Sequence, residues 1–581
     1  MLDRLTPSAE ELAGEIAGRW IAALDAAVAG QSESGLSELF AADSHWRNLF
    51  GISWHFATFS GRPTLCRELL QRARQVGATR FRIDRAALAP RRAVVAGREV
   101  IEAVIAFETI NGPGIGAIRL LAAPASLPAA WTISTSLDFD RICADRSDRA
   151  ANDWLEQRQA KAAYGNRDLD VLIVGGGHAG ISAAVELKRL GLDALVVDQE
   201  QRIGDNWRRR YRGLKLHNKT PVNHLRYLPF PPTFPDYIPK DQIANWLESY
   251  VDIMEVDFWT RTTFEGAAYD EAAQRWSADL RTLAGKRTLR PKHIVMATGV
   301  SGTPNIAKIA GIENFAGPVL HSGQFAAGKE WAGRSVVVFG TGTSAHDICQ
   351  ELQAAGSQVT MVQRSPTMVV NVEPAQLYDK TYLGDGPGIE VRDILNSGVP
   401  LPVMKAAHRL ITDEVKQLDA PLLTRLERAG FRLEFGEDGT GWPLKFRTRG
   451  GGYYFNVGCA ELIADGQIRL IQATDISGIA SDGLRLKNGS ALPADLLVLA
   501  TGYKGLDHLV EALFGPDVAA RVGRVWGFDE TTSELRNMWR RTAQPGLWFT
   551  AGAFSQARIY SRYIALQIAA IEAGELSKQA D

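Results

Sequence analysis

A length of 581 residues exceeds one ordinary domain and predicts about three domains with a sizeable core. The chain carries 65 Lys and Arg residues against 66 Asp and Glu residues, so no overall field would recruit nucleic acid or an anionic membrane. The polar, acidic N-terminus is unlike a signal peptide, and no run approaches roughly 18 uninterrupted apolar residues. We therefore expect a soluble, cytoplasmic protein.

The four cysteines are Cys66, Cys143, Cys349 and Cys459. No two of them are close enough in sequence to form a Cys-x-x-Cys pair, which weighs against a disulfide framework, a metal site and a dithiol flavin reductase. We predict reduced and mostly buried thiols.

The first 145 residues form a pattern of their own. Helical periodicity covers residues 9–28 and a shorter segment at 36–40. Strand-like segments follow at 80–87, 92–96, 99–108, 115–122 and 131–139. Helices followed by antiparallel-type strands predict an α+β domain over 1–145. Residues 146–167 are polar and are predicted to form a linker helix.

Two glycine motifs follow, each between a short apolar run and a helical pattern. The first is Gly175-Gly-Gly177-His-Ala-Gly180, and the second is Gly340-Thr-Gly342-Thr343-Ser344-Ala. Such glycines allow a tight turn and close approach of the backbone to a pyrophosphate at a helix N-terminus. Thr343 and Ser344 could bond phosphate oxygens there, as cap residues generally can.

The residues at the end of the next strand distinguish the two motifs. Asp198 lies 23 residues after Gly175 and is followed by Gln199, whereas the equivalent position after Gly340 is Gln363, followed by Arg364. A carboxylate binds a ribose diol and repels a 2′-phosphate, whereas an arginine attracts one. We therefore predict FAD at the first motif and NADPH, the hydride donor to FAD, at the second.

These motifs predict an α/β fold with two Rossmann-like dinucleotide-binding domains preceded by the α+β domain. We assign residues 168–333 and 504–581 to the FAD domain and 334–503 to the NADP domain. Both 297–299 and 500–502 read Ala-Thr-Gly at the end of an apolar strand. A glycine turn there lets the backbone approach a cofactor, which makes Thr501 and Gly502 candidate cofactor contacts.

The N-terminal segment 45–54, followed by 58–61, resembles the cone-shaped nuclear-transport-factor-2-like (SnoaL-like) domains. Such cones often bind small hydrophobic molecules and often dimerise, so both a ligand role and a homodimer stay open. His45, Trp46 and Trp54 could line a pocket of the cone or pack in its core.

Residues 315–325 resemble the FxGxxxHxxx(Y/F) fingerprint of the class B flavin-dependent monooxygenases, with matches at Phe315, Gly317, His321 and Phe325. Phe325 favours the N/S-oxidising and YUCCA-type branch over Baeyer–Villiger enzymes, which normally carry Trp or Asp there. Residues 204–207 resemble the GGxW flavin segment of the family, with Asp205 replacing a glycine and Trp207 matching. Residues 214–219, 228–235 and 246–250 look most like plant YUCCA indole-pyruvate monooxygenases.

The resemblance implies that O2 forms a peroxide at carbon 4a of the reduced flavin, which transfers one oxygen atom to a small organic substrate. It implies N- or S-oxygenation or oxidative decarboxylation of a 2-oxo acid. A Baeyer–Villiger activity, an NADPH oxidase or flavin reductase, and a non-enzymatic redox sensor are the alternatives.

Two candidate catalytic residues follow from the resemblance. Asn218 matches a flavin-adjacent asparagine and could also be a turn residue before Pro221. His321 invites an acid–base role, or it fixes the linker between the domains. Trp207 could pack near the flavin, and Gln556 could contact the flavin edge. Residues 374–455 hold many aromatic side chains that would line a substrate pocket or form ordinary core, namely Tyr378, Tyr382, Phe431, Trp442, Phe446, Tyr453 and Tyr454.

Overall fold

The computed structural model describes residues 9–121, 127–143, 154–165 and 167–578. Residues 146–153 and 166 of the predicted linker lie outside the described residues, and a helix occupies 154–162 of it. The elements of the first part of the chain are α1 Ala9–Ala29, α2 Glu33–Leu39, β1 Phe40–Leu49, β2 Phe56–Ser60, α3 Arg62–Gln75, β3 Thr79–Ile83, β4 Arg91–Val95, β5 Arg98–Thr109, β6 Gly112–Leu121, β7 Ala130–Leu137, α4 Phe139–Cys143 and α5 Trp154–Ala162.

Strands β1–β7 form a seven-stranded sheet in the order β2-β1-β7-β6-β5-β3, with β4 paired to β5. The alternation of side chains along β5 explains how both faces are covered. Ile101 and Ile105 pack in one core with α1–α3. Val100 and Val104 point to the other face and pack against Val403 and Leu395, which belong to helices much later in the chain.

Trp46 is fully buried in the core of this sheet, and its Nε1 donates to Thr135 Oγ1 at 2.9 Å. The core interpretation of that tryptophan is therefore confirmed.

The next segment begins with an apolar strand that carries the first glycine motif at its end. Its elements are β8 Val171–Val174, α6 His178–Arg189, β9 Ala194–Val197, α7 Asp205–Arg208, α8 Thr220–Asn223, α9 Lys240–Ile253, β10 Asp257–Trp259, β11 Thr263–Asp270, β12 Arg275–Thr282, β13 Gly285–Leu289 and β14 His293–Met296. Strands β11–β13 form a small antiparallel sheet of their own.

The second glycine motif follows β16 in the same way. The elements of this segment are β15 Val319–His321, β16 Ser335–Phe339, α10 Thr343–Ala354, β17 Gln358–Gln363, β18 Met368–Asn371, α11 Val372–Ala375, α12 Ile389–Ser397, α13 Leu401–Leu418, α14 Ala420–Arg428, α15 Gly441–Arg449, β19 Tyr453–Asn456, α16 Cys459–Ala464, β20 Arg469–Gln472, β21 Ile476–Ala480, β22 Gly483–Leu486, β23 Ala491–Pro493 and β24 Leu496–Leu499. Helices α11–α15 are inserted between the paired strands β18 and β19.

The chain ends with α17 His508–Phe514, α18 Pro516–Val522, β25 Leu547–Phe549 and α19 Phe554–Glu572. Strand β25 returns to pair with β14, which gives a parallel sheet in the order β10-β9-β8-β14-β25. The second parallel sheet has the order β15-β24-β16-β17-β20. In both sheets the glycine motif leaves a central strand at its carboxyl end, where α/β sheets bind ligands. The predicted α/β fold class is confirmed.

Two ion pairs attach the N-terminal domain to the rest of the protein, one of them buried on both sides and the other with a buried arginine and an exposed carboxylate. The guanidinium of Arg47 donates to both carboxylate oxygens of Glu534 at 2.8 and 2.6 Å. Arg226 donates to both oxygens of Asp140 at 2.6 and 2.8 Å. Because breaking a buried pair strands a charge, these contacts hold the sheet in a fixed position beside the two dinucleotide-type sheets.

Candidate functional site

A cavity of about 1960 Å³ is bordered by both glycine motifs. Most of the residues predicted for the site line it: Gly175, Gly177, Asp198, Gln199, Trp207, Asn218, Gly340, Gly342, Thr343, Ser344, Arg364, Thr501, Gly502 and Gln556. Gly180, Asp205 and His321 do not line it. The structure therefore brings together residues that are more than 300 positions apart in the sequence.

The three glycines of the first motif have three different surroundings. Gly175 has φ +112°, and a Cβ there would lie 2.5 Å from the carbonyl oxygen of Ala297. A Cβ on Gly177 would meet only Asn206 Nδ2 at 3.1 Å, whereas one on Gly180 would lie 2.1 Å from Gly175 O. Gly180 thus allows the helix to pack on the strand, and Gly177 leaves the backbone open to the cavity.

Both motif helices begin without a side-chain cap. The N-caps of α6 and α10 are Gly177 and Gly342, and neither has a side-chain hydrogen bond to the first turn. The first amide groups of a helix need acceptors, and a phosphate supplies them. Two uncapped N-termini at one cavity fit the pyrophosphates of two dinucleotides.

Asp198 stands at the end of β9 and is held by backbone amides. Its Oδ2 accepts from Gly176 N at 2.6 Å and its Oδ1 from Glu200 N at 2.8 Å. These bonds fix the carboxylate beside the glycine turn with lone pairs left for a ribose diol. Gln199 follows it on the cavity wall.

Aromatic rings surround the first motif. Trp207 lines the cavity, and its buried Nε1 has no hydrogen-bond partner among the described residues. A buried indole N–H without an acceptor is costly, so this donor fits a bound group that accepts from it. The ring of His178 stacks on Phe554 at 4.2 Å, and burial lowers the pKa of His178 to about 4. This histidine was missed by sequence reasoning, although it lies inside the first glycine motif.

Two predicted cofactor contacts act within the protein chain. Asp205 accepts from Arg208 Nη1 at 3.0 Å, away from the cavity. Gln556 lines the cavity, but its Oε1 accepts from Ala553 N at 3.0 Å and so caps α19.

The second motif repeats the turn of the first. Gly340 has φ +126°, and a Cβ there would lie 2.3 Å from Ala500 O. Thr343 Oγ1 donates to Tyr453 O at 3.1 Å, which leaves its lone pairs available. Arg364 is exposed at the cavity wall, and Gln363 before it is fully buried.

Asn218 forms a link between the two halves of the site. Its Nδ2 donates to Asp379 Oδ2 at 2.5 Å, and its carbonyl accepts from Asn223 Nδ2 at 2.9 Å. Burial raises the pKa of Asp379 to about 6, although the bond from Asn218 opposes that shift. Asp379 was missed because it lies in the helical insertion and belongs to no motif.

His321 is buried and bonded at both ring nitrogens. Its Nε2 donates to Gly502 O at 3.0 Å, and its Nδ1 accepts from Gly323 N at 3.1 Å. Burial lowers its pKa, which agrees with a neutral ring. This geometry favours the structural interpretation of His321. Thr501 Oγ1 donates to Asn305 O at 2.6 Å, so the Thr501–Gly502 turn is also bonded to the segment that connects β14 to β15.

The aromatic residues of the insertion divide into two groups. Tyr378, Tyr382, Trp442, Phe446 and Tyr453 line the cavity. Phe431 and Tyr454 are buried in the core of the second parallel sheet. Both interpretations of this stretch thus apply, and Trp442 meets both, because it lines the cavity and is buried in a small core with Met368 and Phe455.

The N-terminal sheet supplies part of the cavity wall. Residues 93–97, which form the end of β4 and the turn to β5, line the cavity, together with Arg91, Glu102 and Arg119. Glu102 accepts from both arginines at 3.0 Å, and Arg119 also donates to Leu395 O at 2.9 Å. A buried polar network therefore fixes this wall.

Known proteins resemble this chain in sequence. The family model described as pyridine nucleotide-disulphide oxidoreductase matches residues 172–376. Indole-3-pyruvate monooxygenase YUCCA1 of Oryza sativa subsp. japonica is 29% identical over 334 residues, which are 57% of this chain and 76% of the relative. Probable indole-3-pyruvate monooxygenase YUCCA10 of Arabidopsis thaliana is 28% identical over 339 residues, 58% of this chain and 81% of the relative.

The open crystal structure of cyclohexanone monooxygenase shares the fold, with a TM-score of 0.52 at 18% identity over 70% of this chain and 88% of that one. The NADP⁺-bound enzyme from Rhodococcus sp. Phi1 has a TM-score of 0.51 at 18% identity, over 70% of this chain and 85% of that one. The chain is therefore similar in sequence to flavin-dependent monooxygenases, and it shares the fold of cyclohexanone monooxygenase. It is an oxidoreductase with FAD and NADPH as its cofactors.

The four cysteines are buried and free, so this chain presents no dithiol at the site. Within the described part of the chain, no helix has both the length and the apolar character that crossing a bilayer requires.

Proposed function

We propose that the chain is an NADPH-dependent flavin monooxygenase that inserts one oxygen atom of O2 into a small organic substrate. The reaction is either N- or S-oxygenation or oxidative decarboxylation of a 2-oxo acid. The observation that carries this proposal is the pair of uncapped glycine-motif helices at one cavity, with Asp198 beside the first and Arg364 beside the second.

The two cofactors are assigned by these side chains. FAD lies at the first motif, where Gly175, Gly177 and Gly180 form the turn and Asp198 receives the ribose hydroxyls. Gln199, Trp207 and Gln556 complete that region of the cavity. NADPH lies at the second motif, where Arg364 receives the 2′-phosphate. The other residues of the second region are Gly340, Gly342, Thr343, Ser344, Thr501 and Gly502.

Bound FAD, once reduced by NADPH, supplies the electrons that activate O2 for transfer of one oxygen atom. The residues of the chain orient the reactants and exclude water. Asn218 keeps one amide hydrogen on Asp379 and has a second for an oxygen atom in the cavity. Asp205 and His321 act as positioning residues, the first on Arg208 and the second on the Gly502 carbonyl.

The relatives limit the substrate class without fixing it. YUCCA1 is named for indole-3-pyruvate, a 2-oxo acid, and supports the decarboxylation branch. The cyclohexanone monooxygenases share only the fold with this chain. Phe325, which separates the branches in sequence, is buried in the core of the second sheet and does not touch the cavity.

The proposal is tested with the FAD-loaded protein, NADPH and ¹⁸O2. Phenylpyruvate, N,N-dimethylaniline and cyclohexanone serve as probes for decarboxylation, N-oxygenation and Baeyer–Villiger oxidation. We expect one ¹⁸O atom in the product from one of the first two probes, and less H2O2 than NADPH consumed. Label only in a lactone would replace this proposal with a Baeyer–Villiger activity. Recovery of all consumed O2 as H2O2 with every probe would show an NADPH oxidase instead.

A further inference from the structure

Among the described residues, the charged side chains that are at least partly buried around the insertion side of the cavity have hydrogen-bonded or ionic partners, with one exception. Lys445 forms an ion pair with Glu434. Arg119 is paired with Glu102, and Arg47 with Glu534. Arg392 donates to four backbone carbonyls, those of Thr381, Leu383, Gly384 and Pro387. The exception is Arg447.

Arg447 lies in the last turn of α15, and its guanidinium borders the cavity. Among the residues that the structure describes, its one hydrogen bond goes to the Sδ of Met404, a weak acceptor. Asp379 acts on it electrostatically, but no carboxylate oxygen lies within 4.0 Å of it and the carboxylate of Asp379 is bonded to Asn218. Arg47, a like charge, also acts on it.

A guanidinium has five N–H donors in one plane and keeps its charge when it is desolvated. Leaving such a group partly buried without a hydrogen-bonded counter-ion is unfavourable, so a bound anion would recover free energy here. A carboxylate matches two parallel N–H groups of the guanidinium, which gives both strength and orientation. The geometry therefore favours a planar anion at Arg447.

The nucleotide phosphates have binding groups elsewhere. The helix N-termini of α6 and α10 provide backbone amides, and Arg364 provides a cation at the second motif. Arg447 instead shares a small adjoining cavity with Gln556 and Tyr560, on the helix that closes the first sheet. Aromatic side chains line the main cavity on the same insertion, namely Tyr378, Tyr382, Trp442 and Phe446. These rings suit an apolar or aromatic body.

We propose that Arg447 binds the carboxylate of the substrate, which is a small carboxylic acid with an apolar or aromatic body. This inference rests on the proposed function, because it names the substrate class of the same site. Of the two reactions proposed above, the inference favours oxidative decarboxylation, because the substrate of that reaction is an acid.

The test measures equilibrium binding to the oxidised FAD-loaded enzyme without NADPH, so no turnover takes place. Phenylacetate and phenylacetamide are matched in shape and differ in charge. We expect the wild type to bind phenylacetate about tenfold more tightly than the amide, since charged hydrogen bonds contribute that much. R447Q should lose this preference, and R447K should keep part of it because the charge remains without the fork. R428Q, a change of the same type at an exposed residue in the last turn of α14 that does not line the cavity, should alter neither affinity by more than about twofold.

Equal affinity of the wild type for the two ligands would overturn the inference, as would an R447Q protein that still prefers phenylacetate. Weaker NADP⁺ binding by R447Q with unchanged phenylacetate binding would show that Arg447 serves the nucleotide, which also overturns it. FAD content and thermal midpoint verify folding, and R447K decides the question if R447Q does not fold. Because no turnover is involved, an enzyme that only makes H2O2 would contradict the proposed function and leave this binding result unaffected.

Discussion

The two glycine motifs share one backbone geometry. Gly175 and Gly340 have φ values of +112° and +126°, and a Cβ on either would collide with a carbonyl oxygen of the neighbouring strand end, at 2.5 and 2.3 Å. Each motif then opens an uncapped helix at the same cavity. Both motifs therefore offer a pyrophosphate the same two backbone features, a glycine turn and an uncapped helix N-terminus.

The side chains that follow the motifs differ. Asp198 is tied to two backbone amides beside the first turn. Its counterpart Gln363 is turned into the protein, where it bonds both the amide and the carbonyl of Arg432. This leaves Arg364 as the exposed side chain at the end of β17. On the proposed assignment, one fold element serves two nucleotides, and the selectivity between them depends on one side chain at the end of a strand.

The largest effect should come from adding a methyl group to either turn. Gly175→Ala forces a Cβ against Ala297 O at an unfavourable φ, so we expect the purified protein to keep less than about a tenth of the normal FAD. Gly340→Ala should keep its FAD but lose reduction by NADPH. Flavin content per chain and the rate of flavin reduction measure the two effects.

Gly213→Ala is the control, because its nearest atom would be 3.9 Å away and its φ is not positive. If Gly340→Ala loses FAD as fully as Gly175→Ala does, the two motifs do not hold separate nucleotides.

An intermediate effect is expected at the end of β17. Arg364→Ala removes the cation proposed to receive the 2′-phosphate, so the KM for NADPH should rise about tenfold or more. The KM for NADH, which lacks that phosphate, should change by less than about threefold. Arg334→Ala is a matched control, since Arg334 is exposed on the same sheet, pairs with Asp495 and lies outside the cavity wall. An equal rise for both nucleotides would refute the assignment of Arg364.

Local sequence signals were sufficient for the two motif regions. A strand of apolar residues, a glycine turn and a helical pattern are all encoded within about 30 residues, and the site residues at strand ends follow from that spacing. The same reasoning located five of the seven strands of the N-terminal sheet, β3 to β7, from short runs rich in apolar and β-branched residues. It missed β1 and the short β2. The sequence of β1, Phe-Ala-Ala-Asp-Ser-His-Trp-Arg-Asn-Leu, is interrupted by polar residues that are buried by other parts of the chain.

Asp379 and Arg447 could not be found in this way, because their places in the site depend on contacts between distant segments, and Asn218 was found only through the family resemblance. Asn218 and Asp379 are 161 residues apart and meet only when the insertion folds over the first motif. Arg447 belongs to no motif. It stands out only in the structure, because its guanidinium has no carboxylate partner among the described residues. Sequence also could not separate Tyr378, which lines the cavity, from Tyr454, which is core, since both are aromatic residues of the same segment.

The smallest effect is expected at Asp379, where the two nucleotide regions meet. Burial raises the pKa of this carboxyl to about 6 in the folded protein, above its ordinary value of 3.8. Between these values the folded state binds more protons than the unfolded state, so the free energy of unfolding falls as pH rises towards 6. Asp379→Asn removes this titration and should reduce the loss of stability between pH 5 and pH 7.5 by about 1 kcal/mol.

Denaturation midpoints of the FAD-loaded protein at the two pH values measure this effect. Asp385→Asn is the control, because Asp385 is exposed on the same segment. An Asp379→Asn protein with the same pH dependence as wild type would show that the carboxylate is solvated, and hence that the two regions do not close over Asn218 and Asp379 in solution.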